Sequence, residues 1–224
     1  MKRNRILIVL GILFLSIAFI APELLHADES LICMAAAPVF TPLKFPQGKN
    51  NMAGYKPRLL FIPEFSVTTL PVVGFDETKN SYVAAGTFDF IGGAGALTKP
   101  LYLYSTDGKV SHSSEPQGEL DGISYKQNLG FFFPGNMPEM HLFNAMVKNT
   151  RGYYVFEDVD GQQYLFGEEG LPAATSPSFN GGAAKADARG TTYTATCDSN
   201  YTAVLLGTPI DMQAVGGYKP EAGE

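Results

Sequence analysis

At 224 residues the chain has room for one well-buried domain with an extension, and is too short for two ordinary domains. Its 24 glycines and 15 prolines, its lack of Trp and its reliance on Phe and Tyr for aromatic surface favour short strands joined by turns. A net charge of −6 excludes a protein that grips nucleic acid by neutralising phosphates, yet suits a surface past which DNA can move without sticking.

Residues 1–33 form a hydrophobic leader. Lys2, Arg3 and Arg5 precede an apolar run from Ile6 to Ala21, followed by Pro22 and by Leu25-His26-Ala27, which has the layout of a secretory signal with cleavage before Asp28. The run falls short of the roughly 20 apolar residues a membrane span needs. Ile32 stands before Cys33 where a lipoprotein would want a small residue. A second reading stands beside the first: Met34 followed by Ala35-Ala36-Ala37-Pro38 resembles a start, which makes the leader an overextension. Cleavage after Ala27 leaves Cys33 and Cys197 able to pair in an oxidising compartment, whereas a start at Met34 leaves Cys197 as a lone buried thiol.

Residues 34–56 read as an extended arm, rich in Pro, Gly, Lys and Asn, with apolar Phe40, Leu43 and Phe45. Those side chains are unfavourable in water, so the arm is expected to pack on a neighbouring surface, in its own subunit or another. A β-rich domain is expected over 57–208. Arg58 to Phe65 is its first strand, and Pro63 places it at an edge or bulge. Val67 to Val73 is a second extended piece. Tyr82 to Phe90 is read as one strand with Tyr82, Phe88 and Phe90 on one face and Val83, Thr87 and Asp89 on the other. The run Gly92-Gly93-Ala94-Gly95-Ala96 fits neither the dinucleotide fingerprint nor the Walker spacing and reads as a flexible turn or assembly loop. Leu101 to Ser105 and Val110 to Glu119 flank the turn Thr106-Asp107-Gly108-Lys109 as a hairpin.

In Gly122 to Phe133 the residues Ile123, Tyr125, Leu129 and Phe131 share one face, broken at Gln127, the pattern of a strand with one wet side. Pro134-Gly135-Asn136 turns the chain, and Asn136 with Glu139 has the form of a capping box. Met140, Phe143, Met146 and Val147 then sit at helical spacing. Tyr153 to Glu157 pairs with Gln163 to Gly167 across Asp158-Val159-Asp160-Gly161. Thr191 to Cys197 is a late strand, Asp198-Ser199-Asn200 a turn, and Tyr201 to Leu206 its return. Residues 209–224 read as a flexible tail. The fold class is mainly β: an antiparallel sandwich or rolled barrel with one flanking α-helix.

The reactive residues do not converge. Ser111-His112-Ser113-Ser114 is the one His near several hydroxyls, but neighbours on a strand alternate faces, so this reads as a solvated polar strand. His141 reads as a capping or solvent-facing residue at the helix start. With only these two His residues beyond the leader and no cysteine pair at ligand spacing, the sequence supplies no zinc site. Glu119 with Asp121, and Glu157 with Asp158 and Asp160, lie in turns where carboxylates stay hydrated; a glycosidase pair must face across a cleft. Asp-Val-Asp-Gly lacks the distal Glu of a calcium loop. No catalytic, metal-binding or cofactor-binding residue is assigned, and the expectation is a protein that is not an enzyme.

Several segments together resemble tail-tube type structural proteins of bacteriophages and prophages from Bacteroides-like hosts. They are Leu43 to Gly48, Gly118 to Gly122 with Ser124-Tyr125-Lys126, Phe132 to Asn136, the Tyr153 to Gly167 hairpin, and Lys185-Ala186-Asp187-Ala188-Arg189-Gly190 leading into Thr191-Thr192-Tyr193. The likeness covers about Met34 to Thr208, in loose strand and turn patterns. The resemblance implies a homo-oligomeric ring, often a hexamer, stacked into a tube with other tail proteins. DNA would cross it in transit, and no membrane would hold the mature form. It places ring contacts in the Phe40 to Phe45 arm, the Gly92 to Leu97 loop and the Gly181 to Gly190 segment, with Phe40, Leu43, Phe45, Gly93, Gly95, Lys185 and Arg189 as the assembly residues. Such a protein is made in the host cytoplasm and ends in the virion. The family begins near the position of Met34, so the leader supports a different reading: a secreted or periplasmic envelope β-sandwich that binds a surface partner or carbohydrate.

Overall fold

The run Tyr153-Tyr154-Val155-Phe156 is apolar at consecutive positions, as a strand covered on both faces must be, and the fold is arranged around it. The computed structural model describes residues 42–43, 52–92 and 97–216. In chain order, β1 (Tyr55–Pro63), a 3-10 turn (Glu64–Ser66), β2 (Val67–Thr69), β3 (Val72–Asp76), β4 (Ser81–Ala85) and β5 (Asp89–Phe90) come first. Then follow β6 (Leu101–Tyr104), β7 (Ser111–Gln117), β8 (Ser124–Pro134), helix α1 (Pro138–Val147), β9 (Arg151–Asp158) and β10 (Gln163–Phe166). The rest is β11 (Ala173–Asn180), β12 (Gly190–Ser199), β13 (Val204–Leu206) and a short helix α2 (Met212–Gly216).

All these strands except β2 and β5 belong to one curled sheet, ordered β3-β4-β13-β10-β9-β11-β12-β8-β7, with β1 on the other side of β9 and β6 beyond β1. The pairs are antiparallel apart from β13 with β4. The strands β1, β9 and β10 form a middle layer. Leu59, Phe61, Tyr154, Phe156 and Phe166 point to one side, where Leu129, Phe131, Tyr193, Ala195 and Val147 meet them. Leu60, Ile62, Tyr153, Val155 and Leu165 point to the other, against Ala84, Val204, Leu206 and Met212. The sheet turns from the middle layer to the outer one at β11, whose Ala173 and Ala174 pair with β9 while Ala174 to Asn180 pair with β12. Ser105 closes the roll: its hydroxyl accepts from the Phe132 N–H at 3.2 Å, and the next N–H, of Thr106, donates to the Phe132 carbonyl at 2.9 Å.

The mainly β fold with a flanking helix agrees with the sequence reading, and so does the β9–β10 hairpin, registered Glu157 to Gln163 through Tyr154 to Phe166. Other local expectations are corrected. Pro63 ends β1 instead of marking an edge, since β1 lies between β6 and β9. The strand read across Tyr82 to Phe90 is broken at Gly86, which takes φ 111°, so β4 joins the main sheet and β5 pairs with β2. The Thr106 to Lys109 turn forms, but its flanks diverge: β6 pairs with β1 and β7 with β8. No capping box opens α1; Met137 is the N-cap, Pro138 holds the first position, and Asn136 bonds His141 instead. Beyond Pro209, Asp211 accepts from the N–H groups of Gln213 and Ala214, and Met212 is buried under the middle layer.

Candidate assembly surfaces

Helix α1 is held to the outer layer by one face. Met140 and Val147 are buried, and Phe143 meets Phe61 and Tyr193 edge-on at ring distances of 6.0 and 5.7 Å. Asn144 fixes the rotation, since its amide donates to Thr191 Oγ1 at 3.1 Å and its carbonyl accepts from the Tyr193 hydroxyl at 2.5 Å. The opposite face is also apolar: Leu142 is 64 % and Met146 58 % exposed, with Met137 at 49 % beside them. The outward position of Met146 corrects the expectation that it shares the buried stripe. Exposed Glu139 and His141 flank these residues on the same helix, so the apolar part of the outward side is a strip and not the whole face. Next to it, between α1, β6 and β8, lies a hollow of about 210 Å³ lined by Leu101, Leu103, Phe131, Phe133, Met140 and Phe143, among others, with Glu139 as its one charged group.

Exposed apolar side chains also stand on the elements that cover the other side of the middle layer. Phe65 in the 3-10 turn is 59 % exposed, Val72 on β3 68 % and Ile91 after β5 57 %. The Ile91 N–H donates to the Ser66 carbonyl at 3.0 Å, which brings Ile91 to the Phe65 turn. Val72 and Glu64 line one shallow hollow there, with Val67 and Leu70. β3, β6 and β7 each pair on one side within the described sheet. β7 is guarded by Glu115 and Pro116, which discourage a further strand; the short apolar edges of β3 and β6 are not.

Of the assembly residues read from the sequence, Phe40, Phe45, Gly93 and Gly95 lie outside the described residues, and Leu43 is fully exposed. Lys185 and Arg189 are exposed in the β11–β12 connection. Asp187 holds that connection by accepting from the Ala183 and Ala184 N–H groups at 2.8 and 2.7 Å, contacts that also lower its carboxyl pKa. Lys185 does not line either hollow, while the Arg189 carbonyl accepts from the Gly135 N–H at 2.8 Å, just before α1; the apolar side chains described above were not singled out in the sequence reading. The signal for α1 was present: seven of its ten residues, Pro138, Met140, Leu142, Phe143, Ala145, Met146 and Val147, are apolar, more than one buried stripe can use.

The polar side chains are engaged in structure. Glu157, 7 % exposed, accepts from Lys56 Nζ at 2.6 Å and from Arg58 at 2.9 and 3.1 Å, so the carboxylate expected to sit hydrated in a turn is a buried cross-strand tie. His112 is not on a solvated strand face. Its ring lies against Phe156 at 5.1 Å, its Nε2 is 3.4 Å from Gln127 Oε1, and burial lowers its pKa. Gln127, the break in the β8 face, is itself buried and donates to the Tyr201 carbonyl at 2.6 Å. Burial pushes the Cys197 thiol up to about 12, which makes it a poor nucleophile. Tyr153, Tyr164 and Tyr193 are likewise raised to about 12, mainly by desolvation. Among the described residues no three His, Cys, Asp or Glu side chains gather as metal ligands, and no helix is long and apolar enough to cross a membrane. No family model, curated protein or solved structure matches this chain. The surfaces themselves must therefore carry the functional argument.

Proposed function

We propose that the chain is a non-enzymatic virion structural protein of tail-tube type, a subunit that assembles with copies of itself into stacked rings through which DNA passes. The observation that carries the reading is the uncovered apolar face of α1 beside the apolar hollow, a surface that costs free energy in water unless another molecule covers it. Within the described sheet β3 pairs on one side, with β4, and a neighbouring subunit's strand could extend it. Passage of DNA would be favoured by the outward sides of β7, β11 and β12, where Ser111, Ser113, Ser176, Ser178, Thr192 and Thr194 present hydroxyls and the exposed Lys126 of β8 is registered between Glu115 and Asp198. Negative-stain electron microscopy of the purified full chain, with an intact-mass measurement of its N-terminus, tests this. Rings or tubes support it.

The leader favours a second reading, an exported envelope module that binds a surface partner or carbohydrate, because Lys2, Arg3 and Arg5 before the apolar run have the order of an export signal. A monodisperse monomer cleaved near Ala27 would replace the first reading with this one.

A further inference from the structure

Lys56, Arg58, Leu60 and Ile62 alternate onto one side of β1, where Leu60 and Ile62 join the core and the two cations continue the row beyond it. Arg58 stands opposite Tyr104 of β6 and Leu60 opposite Tyr102, so both tyrosines come to that same side. From β9, Glu157 reaches both cations: its carboxylate accepts from Lys56 Nζ at 2.6 Å and from Arg58 at 2.9 and 3.1 Å. Met212 is buried on the same core, and the residue after it, Gln213, completes the lining of a hollow of about 280 Å³ with Lys56, Arg58, Tyr102 and Tyr104. The charged residues of that lining are the two cations.

We propose that this hollow binds a sugar acid of the uronic type, with its carboxylate on Lys56 and Arg58. One cation is enough to neutralise Glu157; two leave a net positive charge at this place in a chain whose overall charge is −6. Lysine carries three N–H donors and arginine five, and Glu157 is the one partner of both side chains among the described residues, so donors remain for a second carboxylate. Both cations are partly screened from water, where an ionic contact is stronger than on an open surface. Tyr104, 40 % exposed, supplies an aromatic surface for the C–H face of a pyranose ring, and the Gln213 amide both donates and accepts, as ring hydroxyls require. A neutral sugar would leave the surplus charge unanswered, and an aromatic acid would leave the amide idle. The proposal gives the exported carbohydrate-binding reading its ligand class and rests on that reading; ring assembly plays no part in it.

The test titrates sodium glucuronate, glucose and benzoate into the full-length protein, read by saturation-transfer NMR, beside the variants Lys56→Gln and Tyr104→Leu. Lys56→Gln removes the surplus charge while Arg58 still pairs with Glu157. Urea midpoints check that each variant is folded, and Gln213→Ala, at an exposed position, replaces either one that is not. The expected result is millimolar binding of glucuronate, at least about tenfold tighter than glucose or benzoate and weakened by added salt. Lys56→Gln should weaken it about tenfold, Tyr104→Leu about fivefold and Gln213→Ala by a smaller factor. Glucose bound as tightly as glucuronate overturns the anionic ligand, and benzoate bound as tightly overturns the sugar. Glucuronate bound equally well by the folded variants overturns this site while leaving the carbohydrate reading in place. No binding of glucuronate overturns the proposal, and the export reading then stands or falls on the intact mass of the N-terminus.

Discussion

Tyr154 and Thr175 offer a quantitative check on the packing beneath the proposed surfaces. The phenol of Tyr154, fully buried, lies 2.5 Å from the hydroxyl of Thr175, 4 % exposed, and the contact ties β9 to β11 where the sheet turns from one layer to the next. Replacing Tyr154 by Phe leaves the Thr175 hydroxyl without this partner inside the core, and replacing Thr175 by Val does the same to the phenol. Each single change is expected to cost about 2 kcal/mol, within the roughly 1–3 kcal/mol that an orphaned buried polar group loses. The double variant removes both polar groups together, so it should cost under about 1 kcal/mol, where additive effects would predict about 4 kcal/mol. The coupling of about 3 kcal/mol is read from urea unfolding followed by far-UV circular dichroism, because the chain has no Trp to report by fluorescence. A double variant as unstable as the sum of its parts would refute the claim that these hydroxyls satisfy one another.

Gly152→Ala should destabilise by about 2–3 kcal/mol or more, since a Cβ there would come within 2.5 Å of the Ile62 carbonyl oxygen and of the Phe61 ring; an unchanged urea midpoint would contradict the close approach of β1 to β9. His112 should make the fold acid-sensitive. Burial holds its pKa below the ordinary 6.5, so the unfolded chain binds the extra proton first; stability is complete above pH about 6.5 and declines as pH falls below it. His112→Gln should flatten that decline, and parallel pH profiles for the two proteins would argue against it. Cys197, buried with its thiol raised to about 12, should react with an aromatic disulfide reagent only as fast as the protein unfolds; immediate labelling of the native chain at that residue would show the site to be open.

The sequence pattern predicted what depends on neighbours in the chain. Alternation in Gly122 to Phe133 and the turn signals around Asp158-Val159-Asp160-Gly161 led to β8 and to the β9–β10 hairpin, because period and turn chemistry are local properties. Partner choice is not local, and there the reading failed. Thr106 to Lys109 makes its turn, yet β6 leaves for β1 under the pull of Leu59 and Phe61, and β7 goes to β8. Gln127 looked like a fault in an apolar face and is a satisfied core amide, a role visible only once Tyr201 and His112 stand beside it. For the surfaces, the apolar excess of α1 was readable in the residues, whereas the approach of Ile91 to the Phe65 turn depends on the break at Gly86 that sends β5 back to β2.

The middle layer also sets the order in which the chain can become a protein. β1 pairs with β9, whose residues come about ninety positions later, so everything from Leu59 to Ile62 must wait for Tyr153 to Phe156 before either of its faces is covered. At ordinary rates of synthesis that interval is on the order of ten seconds, during which the first strand has no partner on that edge. Pairings this distant make for slow folding, and they expose apolar strand to chaperones, or to an export apparatus that accepts only unfolded chains, for as long as the wait lasts. The finished sheet thus arrives late and all at once, when the strand that follows α1 slides into its centre.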